Sequence, residues 1–204
     1  DNLMRFARET PQAGIWGGRT VFPDGSLNIA SCWNRMTLWS VFCRTTGLSA
    51  LLWRSEWFNS EAIGDWKRDT PRHVDVVVGC FFLIRRALWR ELGGFNLKYF
   101  MYGEEADLCL RAARKGYRPM ITPEAQIMHI VGAASSQSSR KKIFVSKARS
   151  TLMRDHWPAW QVPVGLGLMW GGAALRALVE TLRRSESTTH RETWAARRDW
   201  LAGF

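Results

Sequence analysis

Several things are scarce or missing in this chain, and each absence excludes a class of protein. Only four cysteines occur among 204 residues (Cys32, Cys43, Cys80 and Cys109), none in a C-x-x-C pair. That excludes a disulfide-framed scaffold and a cysteine zinc site, and leaves core thiols in a reducing compartment. The apolar run at 162–175 falls short of the roughly 20 residues a membrane-crossing helix needs. No signal peptide opens the chain. No nucleic-acid motif occurs, and the arginines are scattered rather than gathered on one face with aromatics between them. Acid is also short relative to base: 18 Asp and Glu against 29 Lys and Arg give a net charge of +11.

What is present has ordinary globular composition, with 46% hydrophobic and 23% charged residues, enough for one buried core and a small appendage. The positive excess calls for an anionic partner: nucleotide phosphates, an anionic membrane or, less well supported by the motifs, nucleic acid.

In chain order, residues 2–9 predict a helix facing a core through Leu3, Phe6 and Ala7. Residues 14–22 predict a short strand in which Gly17 and Gly18 allow close backbone approach. Pro23-Asp24-Gly25-Ser26 is a turn. Apolar spacing at 37–53 predicts a helix over the sheet or along the wall of a site. The polar stretch 54–72, with Trp57 and Trp66, reads as a substrate-side lid or as a packed loop. The run 74–84 is rich in β-branched and aromatic residues and predicts one buried strand. Asp75 inside it needs a partner or a place at the strand mouth. A helix at 87–92 follows.

Gly103 then introduces a second helix whose first turn carries Glu104, Glu105 and Asp107. Acids favour a helix N-terminus, which also keeps a carboxylate ionised and ready to accept a proton. Leu108, Cys109, Ala112 and Ala113 form its apolar face, and Arg111 and Arg114 read as solvated. A strand at 117–122 precedes His129 and a loop of Gly, Ala and Ser.

Gly79-Cys80-Phe81-Phe82-Leu83-Ile84-Arg85-Arg86, Gly93-Gly94-Phe95-Asn96, Tyr102-Gly103-Glu104-Glu105-Ala106-Asp107-Leu108-Cys109-Leu110-Arg111, Pro123-Glu124-Ala125 and His129 come in the order used by family 2 glycosyltransferases. Over residues 13–160 the chain resembles the acceptor half of such an inverting enzyme, closest in pattern to rhamnosyltransferase-like members that build bacterial surface polysaccharides. The resemblance implies an α/β, GT-A-type (Rossmann-like) mixed sheet with flanking helices. It also implies a nucleotide-binding half, ending in Asp-x-Asp, ahead of the first helix. No Asp-x-Asp occurs in this sequence, so the expectation is a portion of a longer enzyme, with residues 1–158 on the acceptor side and 159–204 as a basic, amphipathic helical tail.

Carried onto this sequence, the family's catalytic aspartate falls on Glu105, one methylene longer, with Glu104 able to share the task of general base. The resemblance also implies acceptor contacts at Asp75, Gly79, Cys80 and Asp107. His129 becomes a candidate ligand for a divalent cation (Mn²⁺ or Mg²⁺), although imidazole suits manganese better than magnesium. Arg140 and Lys141, with Lys142 and the nearby Ser135, Ser136 and Ser138, become a clamp for the donor diphosphate. The partners expected are a nucleotide-sugar donor, a glycan or lipid-linked acceptor and an anionic membrane surface. The apolar run 162–175 with Trp157, Trp160, Trp170 and nearby arginines fits an interfacial helix on the cytoplasmic face of the membrane, or else a core-covering helix. The competing reading is a non-catalytic basic module binding membrane or nucleic acid, or an inactive fragment.

Overall fold

The computed structural model of this chain describes residues 1–130 and 138–204, and only the backbone of Ser138. Ser135 and Ser136 of the expected diphosphate clamp lie outside the described residues, as does the side chain of Ser138. The chain is α/β and divides into two compact units, a sheet unit (residues 1–35, 53–97 and 104–130) and a helical unit (36–52, 98–103 and 138–204).

The sheet unit starts with α1 (Asn2–Glu9), which buries Phe6, with Leu3 and Ala7 packed beside it, as the apolar spacing predicts. Strand β1 (Ile15–Val21) is the centre of a five-stranded mixed sheet. It pairs antiparallel with β2 (Leu27–Asn28) through the Phe22–Ser26 turn and in parallel with the long β7 (Met120–Met128). The register along β7 shifts between Gly18 and Arg19, where 123–125 bulge out. A Cβ at Gly17 would overlap Val77 Cγ1, and one at Gly18 would collide with the Ala125 carbonyl and the Phe81 ring. Only glycine lets the bulge and the 77–81 segment close on β1.

The stretch 74–84 is not one strand. It breaks into β5 (Val76–Val77) and β6 (Phe82–Ile84), after a separate β4 (Arg72–His73), and a short β3 (Cys32–Trp33) pairs β5 in a second, two-stranded sheet. A turn in which Phe81 N–H donates to the Val78 carbonyl reverses the chain, so β6 pairs β1 while β4 pairs β7. Burial of Ile15, Cys32, Val74, Val77, Leu88, Cys109, Ala112 and Ile121 builds the core between these strands and two helices, α4 (Arg86–Leu92) and α5 (Glu104–Arg114).

The stretch 54–72 is a pinned loop. Arg68 is fully buried and donates to the carbonyls of Trp66 (2.7 Å) and Ala62 (2.9 Å). Ile63 is fully buried in the core, and Arg72 holds Glu56 through both guanidinium nitrogens at 2.9 and 2.7 Å. Trp66 packs on the core, whereas Trp57 is exposed.

The helical unit holds α2 (Leu38–Thr46), α3 (Leu48–Leu51), α6 (Ser138–His156), α7 (Gln161–Leu182), α8 (Thr189–Ala195) and α9 (Arg197–Ala202). Thr37 caps α2 reciprocally: its hydroxyl accepts from Ser40 N–H, and Ser40 Oγ accepts from Thr37 N–H. The predicted 37–53 helix is interrupted at Gly47, and its packing partner is α7. The tail is not loosely held. Trp200 is buried and donates to the Thr193 carbonyl, and Phe204 stacks on Phe144. Helix α7 runs 22 residues, well past the apolar run, and by length and composition is long and apolar enough to cross a membrane. The expectation that this segment is too short therefore fails.

Candidate active site

Helix α5 brings the acidic residues together as the sequence predicts, with Glu104, Glu105 and Asp107 in its first turn. The chain reaches it through residues 98–103 of the helical unit. There Tyr99 Oη donates to Asp155 (3.0 Å), Lys98 pairs with the same carboxylate (2.7 Å), and Phe100 packs on Phe144. Gly103, at φ 88°, lies against Tyr99 and Ala148, with contacts to a virtual Cβ at 3.1–3.4 Å. A side chain there would strain the backbone that delivers Glu104.

The Oε2 atoms of Glu104 and Glu105 are shut off from solvent, and that of Glu104 accepts no hydrogen bond among the described residues. Burying a carboxylate oxygen without compensation is costly, so such placement marks either a structural exception or a group kept for a reacting partner. Around Glu105 lie other candidates. Burial raises the Cys80 thiol above its ordinary value, and the Glu105 charge pushes it the same way. Cys109 is pushed up to about 12, first by burial, with Glu105, Asp75 and Asp107 all adding to the rise against a bond to the Val77 carbonyl. The Glu105 charge is thus felt at both Cys80 and Cys109, and the charges of Asp75 and Asp107 reach Cys109.

Their individual roles differ. Asp75 has a partner, accepting the Arg35 N–H at 2.8 Å, which places it as a backbone tie between β5 and the end of β3. Gly79 is exposed with open space around its Cα, so a ligand can approach its backbone. It opens a cleft of about 470 Å³ walled by Phe82, Ile84, Arg86, Trp89 and Phe95. Asp107, expected to orient the turn or to contact the acceptor, is buried and paired with Arg111 at 2.7 Å. Arg111 is no solvated cation: it also donates to the carbonyls of Leu92 (2.6 Å) and Gly94 (2.8 Å), tying α5 to the end of α4. The (i, i+4) spacing of Asp107 and Arg111 was the available signal for this pair. Ala113, expected on the apolar face, is exposed, while Leu108, Cys109 and Ala112 are buried.

The remaining candidates stand elsewhere. His129 ends β7, its N–H donating to the Val21 carbonyl and its own carbonyl accepting from Asn28 at 3.2 Å. Among the described residues no group of three or more His, Cys, Asp or Glu gathers as a cation site, so these residues alone do not fit a divalent ion. Arg140 and Lys141 belong to α6. Arg140 is exposed over the Phe144 ring, and Lys141 lines a cavity of the helical unit.

No family model matches the chain. It is 27% identical over 197 residues to the N-acetylglucosaminyl-diphospho-decaprenol L-rhamnosyltransferase of Mycobacterium tuberculosis, covering 91% of this chain and 61% of that protein. It is 39% identical to rhamnosyltransferase WbbL of Escherichia coli over 56 residues, 28% of this chain and 21% of WbbL. A third relative, the O-antigen biosynthesis protein RfbC of Myxococcus xanthus, is 26% identical over 169 residues, 81% of this chain and 12% of RfbC. These similarities support a glycosyltransferase-like relationship. The chain spans about three fifths of the length of the first of these curated relatives.

Proposed function

We propose that this chain carries the acceptor-side wall of an inverting family 2 glycosyltransferase with a GT-A-type sheet, one that moves a sugar, rhamnose by analogy with its relatives, from a nucleotide-sugar donor to a lipid-linked glycan in surface polysaccharide synthesis. The observation that carries this reading is the acidic first turn of α5, with solvent-shielded carboxylate oxygens on Glu104 and Glu105 and the Glu105 charge felt at Cys80, next in sequence to the open backbone of Gly79. Glu105 is the general base: it takes the proton from the acceptor hydroxyl as that oxygen attacks the anomeric carbon and the nucleoside diphosphate leaves from the opposite face. Glu104 sits one residue away in the same first turn, near enough in sequence to share the task. Asp107 and Arg111 act behind them as positioning residues. Phe82, Trp89 and Phe95 offer apolar ring surface on which a sugar face can rest.

A divalent cation, where the reaction uses one, would neutralise the leaving diphosphate. The described residues do not supply its ligand set, so His129 is kept as a donor-side contact, and no step here runs through a metal. The helical unit supports peripheral attachment to the inner face of the membrane. Helix α7 packs on α2 and, with Trp170 against Trp194, on α8, while Val164, Leu175, Leu178 and Leu182 are exposed on another face. The test is transfer by the complete enzyme carrying Glu105→Gln or Glu104→Gln. Loss with the first and retention with the second is expected. Full turnover by Glu105→Gln with a dead Glu104→Gln moves the base by one residue, and full turnover by both removes α5 from the chemistry.

A further inference from the structure

Within the helical unit, α2, α6, α7, α8 and α9 line a cavity of about 490 Å³. Its wall is cationic, formed by Arg44 of α2, Lys141 and Lys142 of α6, and Arg176 of α7, with His190 of α8 beside them. Its lining is otherwise largely apolar, with Val41, Val145, Met169 and Trp200. Arg176 is fixed in place, donating to the carbonyls of Gly172 (3.0 Å) and Arg44 (2.6 Å). The carboxylate whose field reaches these cations is already engaged: Glu180 accepts from the backbone N–H groups of His190 (3.1 Å) and Arg191 (2.7 Å) and from Ser187 Oγ (3.2 Å). Burial lowers Arg176, Lys142 and His190 from their ordinary values, which is the behaviour of cations crowded together and partly stripped of water.

The surrounding charge points the same way. The helical unit holds fourteen Lys and Arg against five Asp and Glu, a net +9, while the sheet unit holds fifteen against thirteen, a net +2. Nearly all of the chain's excess charge therefore belongs to the unit with this cavity. A free inorganic anion would satisfy the cations but leave the apolar lining wet. A hydrocarbon alone would bring no anion to Lys141, Lys142 and Arg176. A phosphate ester of a hydrocarbon chain satisfies both. We propose that this cavity binds the phosphate-bearing end of such an amphiphile, its oxyanion on Lys141, Lys142 and Arg176 and its first carbons against Val41 and Met169. The inference rests on, and deepens, the reading of a lipid-linked acceptor, and it assigns Lys141 to the acceptor's phosphate rather than to the donor's.

The 204-residue chain is titrated with farnesyl diphosphate, inorganic pyrophosphate and farnesol, with binding read by calorimetry and by tryptophan fluorescence. Farnesyl diphosphate should bind at least about tenfold more tightly than either of the others, since charge-assisted bonds and apolar burial each contribute that much or more. Lys141→Gln with Lys142→Gln should weaken it by about tenfold or more. Arg198→Glu, which removes the same two units of charge at an exposed position of the unit, should weaken it by less than about threefold. Equal binding of farnesol and farnesyl diphosphate, or equal losses in the two variants, overturns the proposal. Competition with phosphatidylglycerol vesicles separates the sources: displacement assigns the cavity to bilayer headgroups, and resistance assigns it to a lipid-linked diphosphate. No turnover is measured, so a chain that binds farnesyl diphosphate but never transfers sugar counts against the enzyme reading alone.

Discussion

The two units handle charge in opposite ways. The sheet unit is close to neutral, and its ions are used in pairs: Asp107 with Arg111, Glu56 with Arg72, Glu91 with Lys115 and Glu124 with Arg5. The helical unit keeps an excess of cations, several of them around one cavity, and shows an exposed apolar face on α7. A net charge of +11 is thus not a property of the whole surface. Nine of those eleven charges belong to the helical unit, while the sheet unit, which carries the acidic first turn of α5, is nearly balanced.

The largest expected effect separates chemistry from scaffold. Glu105→Gln should lower transfer by about 10²–10⁴ while thermal unfolding stays where it is, because loss of a general base costs rate and not packing. A matching fall in stability would mean the carboxylate is a structural member of the sheet unit, and the contrast between the units would weaken. Next, Arg111→Met leaves Asp107 buried without its cation and should destabilise the chain by about 3 kcal/mol, read by denaturant titration. A loss below about 1 kcal/mol would show that the pair is not what holds α4 and α5 together.

A third measurement sharpens the difference in lipid contact. Leu178 and Leu182 of α7 are 54% and 72% exposed, and replacing both by serine should cut partition onto phosphatidylglycerol vesicles by about tenfold or more. Leu97→Ser, which removes an even more exposed leucine from the sheet unit, should leave partition unchanged; equal losses would erase the distinction. The smallest effect concerns the exposed pair Lys115–Glu91 at 2.7 Å, where Lys115→Gln should change stability by less than about 0.5 kcal/mol. A larger loss would mean that even the surface pairs of the sheet unit carry structure.

Much of this was legible beforehand where the signal is local. The first helix, the glycine pair of β1, the Pro-Asp-Gly-Ser turn and the acid-rich start of α5 each follow from residues close in sequence. What escaped depends on residues far apart along the chain or on where a run folds back. Nothing in the β-branched stretch 74–84 shows that Val78–Phe81 turns and sends its halves to different strands. Arg68 looks like any loop arginine until the carbonyls of Ala62 and Trp66 close around it. Arg111 could be suspected from its spacing to Asp107, but not its bonds to Leu92 and Gly94. The cavity of the helical unit draws on α2, α6, α7, α8 and α9, which lie far apart along the chain, so no window of sequence contains it.

The bridge from Arg111 to Asp107, Leu92 and Gly94 has a consequence for timing. It couples the helix bearing Glu105 to the loop that places Phe95 at the aromatic cleft, so neither can swing without straining three short bonds. On the proposed chemistry, a sugar resting on those rings would meet a carboxylate whose bearing is already set, and the orientational entropy of aligning it with the hydroxyl would be surrendered during folding rather than in each turnover.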